Sequence, residues 1–274
     1  MEQFQELIKK WQSLRITDVS DLDNALDSFK VEFAYNSGKI ENDKVTYHDT
    51  REIFENGKVT GYTGETRAIF EQQNQKLCYE YLKEKIVCKE PLSMELLKET
   101  HRILTAGTYD ERRFLVNNER PGEFKKHDYV VGKDEIGAAP QDVEQEISEL
   151  LEEVCAYSGK EILTLAAYFH CKFESIHPFA DGNGRTGRTL MNYILMTHDY
   201  PPVVIYNDDK PVYVSCLNKF DTQGEIDAMV SFLRYEISKT WIKYFDRSQH
   251  RQASDKKLEG YVSKHRKHND FPEL

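Results

Sequence analysis

Residues 177–188 read HPFADGNGRTGR, a stretch of the 274-residue chain that combines a histidine, an acid, three glycines and two arginines within twelve positions. His177 can accept a proton near neutral pH, and the acid Asp181 follows it by four positions. The glycines at 182 and 184 allow positive φ and remove side chains that would hold a phosphate away. Backbone N–H groups in such a turn converge on an anion, and the helix that follows adds its positive dipole end. The stretch therefore predicts nucleotide phosphate chemistry.

The charged side chains of this stretch suit a polyphosphate bound with a metal. Arg185 and Arg188 are one helical turn apart, so their planar guanidinium groups could neutralise two neighbouring phosphates. Asp181 offers the hard oxygen ligand that Mg²⁺ takes together with phosphate oxygens and water. Taken singly, each residue also has an ordinary structural interpretation, the histidine and the acid as loop residues and the glycines as turn residues. Their order along the chain favours the functional interpretation.

The pattern differs from the common phosphate-binding motifs and from a hydrolytic zinc site. It lacks the G-x-x-x-x-G-K-[ST] loop. Residues 182–187 have the spacing G-x-G-x-x-G, but they follow a predicted helix and not the strand that precedes a dinucleotide turn. His170 and His177 are seven positions apart and lack the H-E-x-x-H spacing of a hydrolytic zinc site. A metal-dependent hydrolase is therefore disfavoured.

Composition and charge restrict the class of protein. The formal net charge of −10 argues against a general nucleic-acid binder, which usually presents a basic face. Five scattered cysteines without C-x-x-C spacing predict free thiols in a reducing compartment, so we expect a cytoplasmic protein. The chain opens on an amphipathic, charged segment, and no apolar run approaches the ~20 residues of a membrane span. The last thirty residues are basic, which is typical of a solvated tail or final helix.

Helical periodicity dominates the chain outside residues 105–140. It predicts helices over 66–87, 93–104 and 143–157, one from 162 to the motif, one directly after it, and closing helices around 213–220 and 226–245. Between residues 105 and 140, glycines and Pro121 separate short segments in a way that favours a hairpin. Asn36-Ser37-Gly38 predicts a break in the preceding helical pattern. We therefore expect a single, mostly α-helical domain with one small hairpin and an N-terminal helical extension.

The stretch 177–188 resembles the signature of the Fic (filamentation induced by cyclic AMP) family, H-P-F-x-[DE]-G-N-G-R-x-x-R, at every fixed position. The resemblance extends over roughly Leu96–Phe232. It implies an all-α core with a small β-hairpin flap, and an enzyme that moves AMP from ATP, with Mg²⁺, onto a hydroxyl side chain of a target protein. We expect an N-terminal extension over 1–90, a Fic core over 91–245 and a basic tail or helix over 246–274.

The resemblance also implies roles for individual positions of the motif. His177 would activate the target hydroxyl, and Asp181 would hold Mg²⁺ against the α- and β-phosphates. Arg185 and Arg188 would grip the β/γ end, and Phe179 would anchor the loop as an apolar side chain. The remaining motif positions expected to bind ATP, largely through their backbone, are Gly182, Asn183, Gly184, Thr186 and Gly187. Relatives that transfer a terminal phosphate carry lysine at position 184, so Gly184 favours AMP transfer. His170 matches a family position, where we expect helix packing.

Two further segments resemble parts of the nucleotide and target sites. Residues 123–136 are similar to the family's flap, which would dock an extended segment of the target protein through its edge. The nucleotide contacts expected there are Val130, Val131 and Gly132, although a plain surface hairpin is the alternative. Tyr213 matches a position that faces the adenine or ribose. Eight residues later this chain has Asp221 where some relatives have asparagine, which leaves base recognition open.

An upstream segment resembles the family's inhibitory motif, [ST]-x-x-x-E-[GN]. The matching residues are Ser37, Glu41 and Asn42, within residues 37–42. The resemblance implies that Glu41 pairs with Arg188 and leaves ATP in an unproductive pose. The alternative is ordinary capping, with Ser37 at a helix start and its acid one turn later.

Three functional hypotheses follow. The first is an autoinhibited protein adenylyltransferase that can modify itself. In the second, Glu41 positions a water molecule and the same site removes AMP from modified targets. In the third, the chain is a nucleotide-responsive interaction module that uses its basic tail and has little catalytic activity. The expected partner is a protein with a Ser, Thr or Tyr hydroxyl, and a homo-oligomer is left open.

Overall fold

A computed structural model of the chain describes residues 2–41, 44–129 and 137–245, and within these ranges the regular secondary structure is entirely helical. The helices in chain order are α1 (Glu2–Ser13), α2 (Val19–Ala25), α3 (Asp27–Glu41), α4 (Tyr47–Asn56), α5 (Thr66–Val87), α6 (Met94–Leu104), α7 (Val143–Ala156), α8 (Ile162–Ile176), α9 (Asn183–Thr197), α10 (Lys210–Gln223) and α11 (227–245). A π-helical turn, Arg112–Val116, and a 3₁₀ turn, Asn207–Asp209, complete them.

The pair α8 and α9 forms the centre of the molecule, on either side of the 177–188 stretch. Apolar residues occur on nearly every side of α8, as expected for a helix that is covered all round. Phe169 and Phe173 are fully buried and stack on each other at 5.7 Å. Helices α3, α5, α6, α7 and α10 pack around this pair. The functional stretch is therefore held between two rigid elements.

The helices before residue 91 share one hydrophobic core with the rest of the described chain. Trp241 of α11 is fully buried and packs against Trp11 of α1 at 4.8 Å and Phe29 of α3 at 5.9 Å. Its indole N–H donates to the carbonyl of Pro202 at 2.6 Å. The expected boundaries at residues 90 and 245 stay predictions.

The long helices lie where the apolar periodicity of the sequence predicts them. Helix α5 covers the predicted residues 66–87, and α7 ends one residue before the prediction. Helix α6 begins at Met94 because Ser93 is its N-cap, where the hydroxyl accepts a hydrogen bond from the N–H of Leu96 at 3.1 Å. The prediction of an all-α fold is confirmed for the described residues.

The predicted break at residues 36–38 is wrong, because α3 runs without interruption from Asp27 to Glu41. Gly38 allows close packing: a Cβ there would lie 2.1 Å from Nε2 of Gln72, a buried side chain of α5. Asn36 is also buried, and its side-chain oxygen accepts from the N–H of Asn207 at 3.1 Å. Ser37 consequently lies near the end of α3, so the capping interpretation is wrong too. Asn36 and Gly38, whose residue types are common in turns, therefore lie within α3 and make tertiary contacts.

The predicted hairpin over 123–136 is described only in part. Residues 123–129 contain no strand, and 130–136, with Val130, Val131 and Gly132, lie outside the described residues, as do Asn42 and 246–274. The hairpin stays a prediction. None of the helices in the described ranges is both long and apolar enough to cross a lipid bilayer.

Gly38 provides a test of the packing of α3. Alanine in place of glycine within a helix usually stabilises by about 0.5–1 kcal/mol. Here the added methyl group must displace Gln72, so we expect Gly38→Ala to lower the free energy of unfolding by about 1 kcal/mol. In a Gln72→Ala background the same change should stabilise. Urea denaturation of the four proteins measures both effects, and stabilisation by Gly38→Ala alone would contradict the close approach.

Candidate active site

The loop between α8 and α9 carries His177 in the left-handed region, with φ 49°. A non-glycine residue in this region costs about 1–2 kcal/mol, so its surroundings must hold it. The N–H of His177 donates to the carbonyl of Phe173 at 3.0 Å and ends α8. Two neighbouring segments fix the loop: the N–H of Lys125 donates to Pro178 O at 2.9 Å, and that of Ala138 to Ile176 O at 2.9 Å. The segments before and after residues 130–136 therefore support His177.

Phe179 anchors the loop, as predicted. Its ring is fully buried and lies parallel to the imidazole of His101 at 3.6 Å. The side chain of Asn183 binds both backbone groups of Phe179, accepting from its N–H at 2.9 Å and donating to its carbonyl at 2.7 Å. The side chain of Asn183 thus shapes the loop, while its backbone lies at the start of α9.

His101 of α6 also holds the loop, although the sequence predicted no role for it. Its Nδ1 accepts the N–H of Gly122 at 2.9 Å, which leaves the proton on Nε2, and Nε2 donates to the carbonyl of Asp181 at 2.8 Å. Burial lowers the pKa of the His101 imidazole to about 3, so it is neutral at physiological pH. His101 follows Leu97 by four residues and precedes Leu104 by three, so it lies on the buried face of α6. From this spacing alone, the sequence predicts only a packing role for His101.

His177 has the protonation state of a general base. Burial, together with the nearby Lys125 ammonium, lowers the pKa of its imidazole to about 4. The ring is therefore neutral near pH 7 and able to accept a proton. Its Nδ1 atom is buried and has no hydrogen-bond partner among the described residues. These properties fit the predicted role, which stays a prediction.

Asp181 and Arg185 belong to a cluster of ion pairs with two residues of α5, Arg67 and Glu71. Asp181 lies 2.6 Å from the Arg67 guanidinium and 3.4 Å from that of Arg185. The buried Glu71 lies 2.9 Å from Arg67 and 3.2 Å from Arg185. Burial would raise the pKa of Asp181, but Arg185 and Arg67 outweigh it and hold the pKa below its usual value. The carboxylate is therefore ionised.

Arg185 is a buried cation beside Asp181. Its exposure is 1%, its Nη1 atom forms an ion pair with Glu71 Oε1 at 3.2 Å, and its Nε donates to none of the described residues. Arg185 is also one of the residues that line a cavity of about 410 Å³, together with Glu41, Glu65, Arg67, Glu71, Arg113 and Asp181. The cavity therefore brings three guanidinium groups together near Asp181.

Arg188 makes the predicted contact with the end of α3. Its Nη2 donates to Glu41 Oε1 at 2.8 Å and to the carbonyl of Ser37 at 3.0 Å, while Nε donates to the Ser37 hydroxyl at 3.1 Å. Burial opposes ionisation of Glu41, but the pairing with Arg188 outweighs it and lowers the pKa of the carboxyl. A Cβ at position 184 would lie 2.4 Å from Glu41 Oε1, so Gly184 makes this approach possible. The inhibitory role of the contact stays a prediction.

Tyr213 and His170 form a buried pair beside α9. The two rings stack at 5.7 Å, with Nε2 of His170 and the Tyr213 hydroxyl 2.7 Å apart. His170 is therefore a packing residue, as expected, and the nucleotide contact of Tyr213 stays a prediction. Asp221 accepts a hydrogen bond from the Ser175 hydroxyl.

Thr186 and Gly187 lie where α9 meets α8. Thr186 is fully buried. A Cβ on Gly187 would lie 2.7 Å from Glu174 Oε1 and 3.0 Å from His170 Nδ1. Gly187 therefore allows close packing of the two helices, and the ATP contacts predicted for both residues stay predictions.

Glu174, three residues before His177, is a second residue near the loop for which the sequence predicted no role. Its Oε1 atom is buried and accepts no hydrogen bond from the described residues. Burial raises the pKa of this carboxyl to about 8, and the nearby Glu41 and Asp221 carboxylates add to the effect. Glu174 is therefore largely protonated near pH 7.

Replacing Glu174 tests this protonation state. A carboxyl whose pKa is raised by folding gives stability that is full below its unfolded value near 4.5 and is lost as pH rises to about 8. Glutamine does not titrate, so Glu174→Gln should gain about 3.5 kcal/mol relative to wild type between pH 5 and pH 8. Denaturant unfolding at the two pH values measures the gain. Glu149→Gln, at an exposed position of α7, is the control, and a constant difference for Glu174→Gln would refute the raised pKa.

Comparison with known proteins places this site in a family. The model of the Fic/DOC family matches residues 91–195. Over 212 residues the chain is 31% identical to Protein adenylyltransferase Fic of Drosophila persimilis, covering 75% of this chain and 39% of that protein. It is 30% identical over 204 residues to the protein of the same name from Nematostella vectensis, covering 73% of this chain and 45% of that protein. The chain thus spans about two fifths of the length of these relatives.

Solved structures share the fold over most of the chain. A Fic domain containing signaling protein from Bacteroides thetaiotaomicron is similar with a TM-score of 0.75 at 26% identity, over 86% of this chain and 93% of that one. Fic-1 from C. elegans, residues 134–508, shares the fold with a TM-score of 0.69 at 20% identity, over 90% of this chain and 73% of that one. By the matched domain, its relatives and its fold, the chain belongs to the Fic/DOC family.

Proposed function

We propose that the protein is an adenylyltransferase that moves AMP from ATP onto a hydroxyl side chain of a target protein. The main structural support is the loop between α8 and α9, which carries a neutral His177 four residues before the ionised Asp181, and Asp181 lines a cavity together with Arg67, Arg113 and Arg185. Relatives with about 30% identity are named Protein adenylyltransferase Fic, which supports the same chemistry.

The residues present fit ATP bound with Mg²⁺. The guanidinium groups of Arg67, Arg113 and Arg185 line the cavity and suit phosphate charge, and Asp181 is an ionised hard ligand at the same cavity. Among the described residues, no group of three or more His, Cys, Asp or Glu side chains could hold a metal by itself. Mg²⁺ commonly binds through one carboxylate with phosphate oxygens and water, so Asp181 would be its protein ligand. The ion would neutralise charge on the phosphates.

In the proposed reaction the target hydroxyl oxygen forms a bond to the α-phosphorus of ATP. His177 takes the hydroxyl proton, which its neutral imidazole can accept. The bond between the α-phosphorus and the bridging oxygen breaks, and pyrophosphate leaves with that oxygen. Arg185 and the start of α9 stabilise the charge on the leaving group. Gly184 leaves room for pyrophosphate, where relatives that transfer a terminal phosphate carry lysine.

In this proposal, Glu41 inhibits the site by pairing with Arg188. Arg188 is engaged by Glu41 and Ser37, so it cannot orient the γ-phosphate of ATP. ATP that binds to this state would be held without its α-phosphate aligned for attack. Release of Glu41 would activate the enzyme, including toward its own hydroxyl groups.

Substitution of Glu41 tests the inhibition. Loss of a hydrogen bond between charged groups corresponds to about 1.5–3 kcal/mol, so Glu41→Gly and Glu41→Gln should each raise AMP transfer about 10- to 100-fold. Transfer from α-labelled ATP to the protein itself and to lysate proteins measures the increase. Lys39→Gly, on the same turn of α3, controls for loosening of the helix end. Wild-type activity in both Glu41 variants would eliminate the inhibitory role.

Substitution of His177 separates an enzyme from an interaction module. His177→Ala in the Glu41→Gly background should abolish labelling, because no base remains to take the hydroxyl proton. The pH dependence gives a second test: the acidic limb of kcat/KM for the Glu41→Gly enzyme should lie at or below about pH 4, far below 6.5, because the lost Glu41 carboxylate raises the pKa of His177 in the wild type. Labelling that survives His177→Ala would contradict the assignment and favour the module.

A second reaction of the same site is removal of AMP from a modified target. It is favoured by the Glu41 carboxylate, which is ionised and 39% exposed beside the cavity, and could position a water molecule. Incubation of an AMP-modified target without ATP separates the two reactions. Release of AMP by wild type and its loss in Glu41→Gly would support this activity.

The target is proposed to be a protein that presents a Ser, Thr or Tyr hydroxyl along residues 123–136. The base of this segment is tied to the loop of His177 through Lys125 and Ala138, which supports a docking role. Five free cysteines favour a reducing compartment such as the cytoplasm. Mass spectrometry of a native lysate treated with the Glu41→Gly form would identify the target.

A further inference from the structure

Arg67 occupies a place in the site that neither the motif nor the matched domain includes. It lies in the first turn of α5, before the matched residues 91–195. Its guanidinium Nη2 is 2.6 Å from Asp181 Oδ2, and its Nε donates to Glu71 Oε1 at 2.9 Å. Its side chain is 36% exposed and lines the 410 Å³ cavity. An arginine from α5 thus holds the carboxylate proposed to bind Mg²⁺.

The charges around Asp181 are unsuited to a bare cation. Three guanidinium groups surround it: Arg67 at 2.6 Å, Arg185 at 3.4 Å, and Arg113, whose Nε donates to the carbonyl of the adjacent Ala180 at 3.2 Å. A divalent ion alone would have to displace one of them and would be repelled by the others. A metal bound to a polyphosphate brings net negative charge, which the same arginines attract. The surroundings favour the complex over the free ion.

Arg67 and Arg185 differ in their freedom to move. Both pair with Glu71, which is 2% exposed and therefore fixed. Arg185 is itself buried, whereas Arg67 reaches Asp181 along the open wall of the cavity. Arg67 can therefore keep its Nε bond to Glu71 while its Nη groups turn from Asp181 toward a ligand in the cavity.

We propose that Arg67 is a polyphosphate-binding residue that serves as the counter-ion of Asp181 until the nucleotide enters. On binding, Asp181 exchanges the guanidinium for the metal, and the freed N–H groups of Arg67 donate to terminal phosphate oxygens. Arg67 thereby favours ATP over AMP and keeps Asp181 from binding a metal without nucleotide. The inference rests on the proposed use of ATP by this site.

Nucleotide affinity tests the phosphate contact without turnover. Isothermal titration measures Mg·ATP and AMP binding in the Glu41→Gly, His177→Ala background. These two substitutions free Arg188 from Glu41 and block AMP transfer. There, Arg67→Ala should weaken Mg·ATP binding about 10- to 100-fold, as expected for a charged hydrogen bond, and change AMP binding less than about threefold. Arg51→Ala is the matched control, because Arg51 pairs with Glu55 four residues along its own helix, as Arg67 pairs with Glu71.

Metal affinity tests the counter-ion role. Electron paramagnetic resonance of Mn²⁺ without nucleotide should give tighter binding to Arg67→Ala than to wild type, about fivefold or more, since one charge next to Asp181 is removed. An added Asp181→Asn change should abolish the gain.

Unchanged Mg·ATP affinity in Arg67→Ala would overturn the inference, as would equal weakening of ATP and AMP, which would indicate a structural role. Unchanged Mn²⁺ affinity would overturn the counter-ion part. These outcomes are independent of the proposed reaction: absence of AMP transfer in the Glu41→Gly enzyme, with the ATP-over-AMP preference intact, would reject the reaction and keep the phosphate contact.

Discussion

The buried guanidinium of Arg188 is the constraint on which the arrangement of the site depends. A buried cation without partners is strongly destabilising, so its hydrogen bonds must be provided in every state of the protein. Here they come from Ser37 and Glu41, at the end of a helix that the N-terminal part of the chain contributes. Because Arg188 of α9 needs these hydrogen bonds, it holds the end of α3 against α9. Under the proposed function, a terminal phosphate of ATP would be the other partner of suitable charge, and it would compete with Glu41 for this one group.

Local sequence was sufficient to predict the parts of the molecule that depend on local chemistry. Apolar periodicity gave α5 and α7 to within a residue. The order of residues from His177 to Arg188 predicts a phosphate site, which stays a prediction. The pairing of Glu41 with Arg188 was also anticipated, although only through resemblance to a family motif. Nothing in the intervening 146 positions would have brought residues 41 and 188 together.

Tertiary contacts explain what the sequence did not reveal. Gly38 has the local character of a helix breaker, but a neighbouring helix at Gln72 requires it inside α3. His101 follows the periodicity of a buried helix face, so its polar role depends on a partner distant in sequence, Asp181. The raised pKa of Glu174 depends on burial by neighbouring helices, which its local sequence does not reveal. Arg67 has the ordinary spacing of an i, i+4 pair with Glu71. Its second partner, Asp181, is 114 positions away.

The central claim is that Glu41 and the terminal phosphate of ATP exclude each other at Arg188. Crystal structures of the wild-type and Glu41→Gly proteins with Mg²⁺ and a non-hydrolysable ATP analogue test it most directly. The account predicts that Arg188 binds Glu41 in the wild type and the γ-phosphate in the variant, with the α-phosphate aligned toward His177 only in the latter. A wild-type complex in which Arg188 binds both groups, with an α-phosphate already aligned, would contradict it.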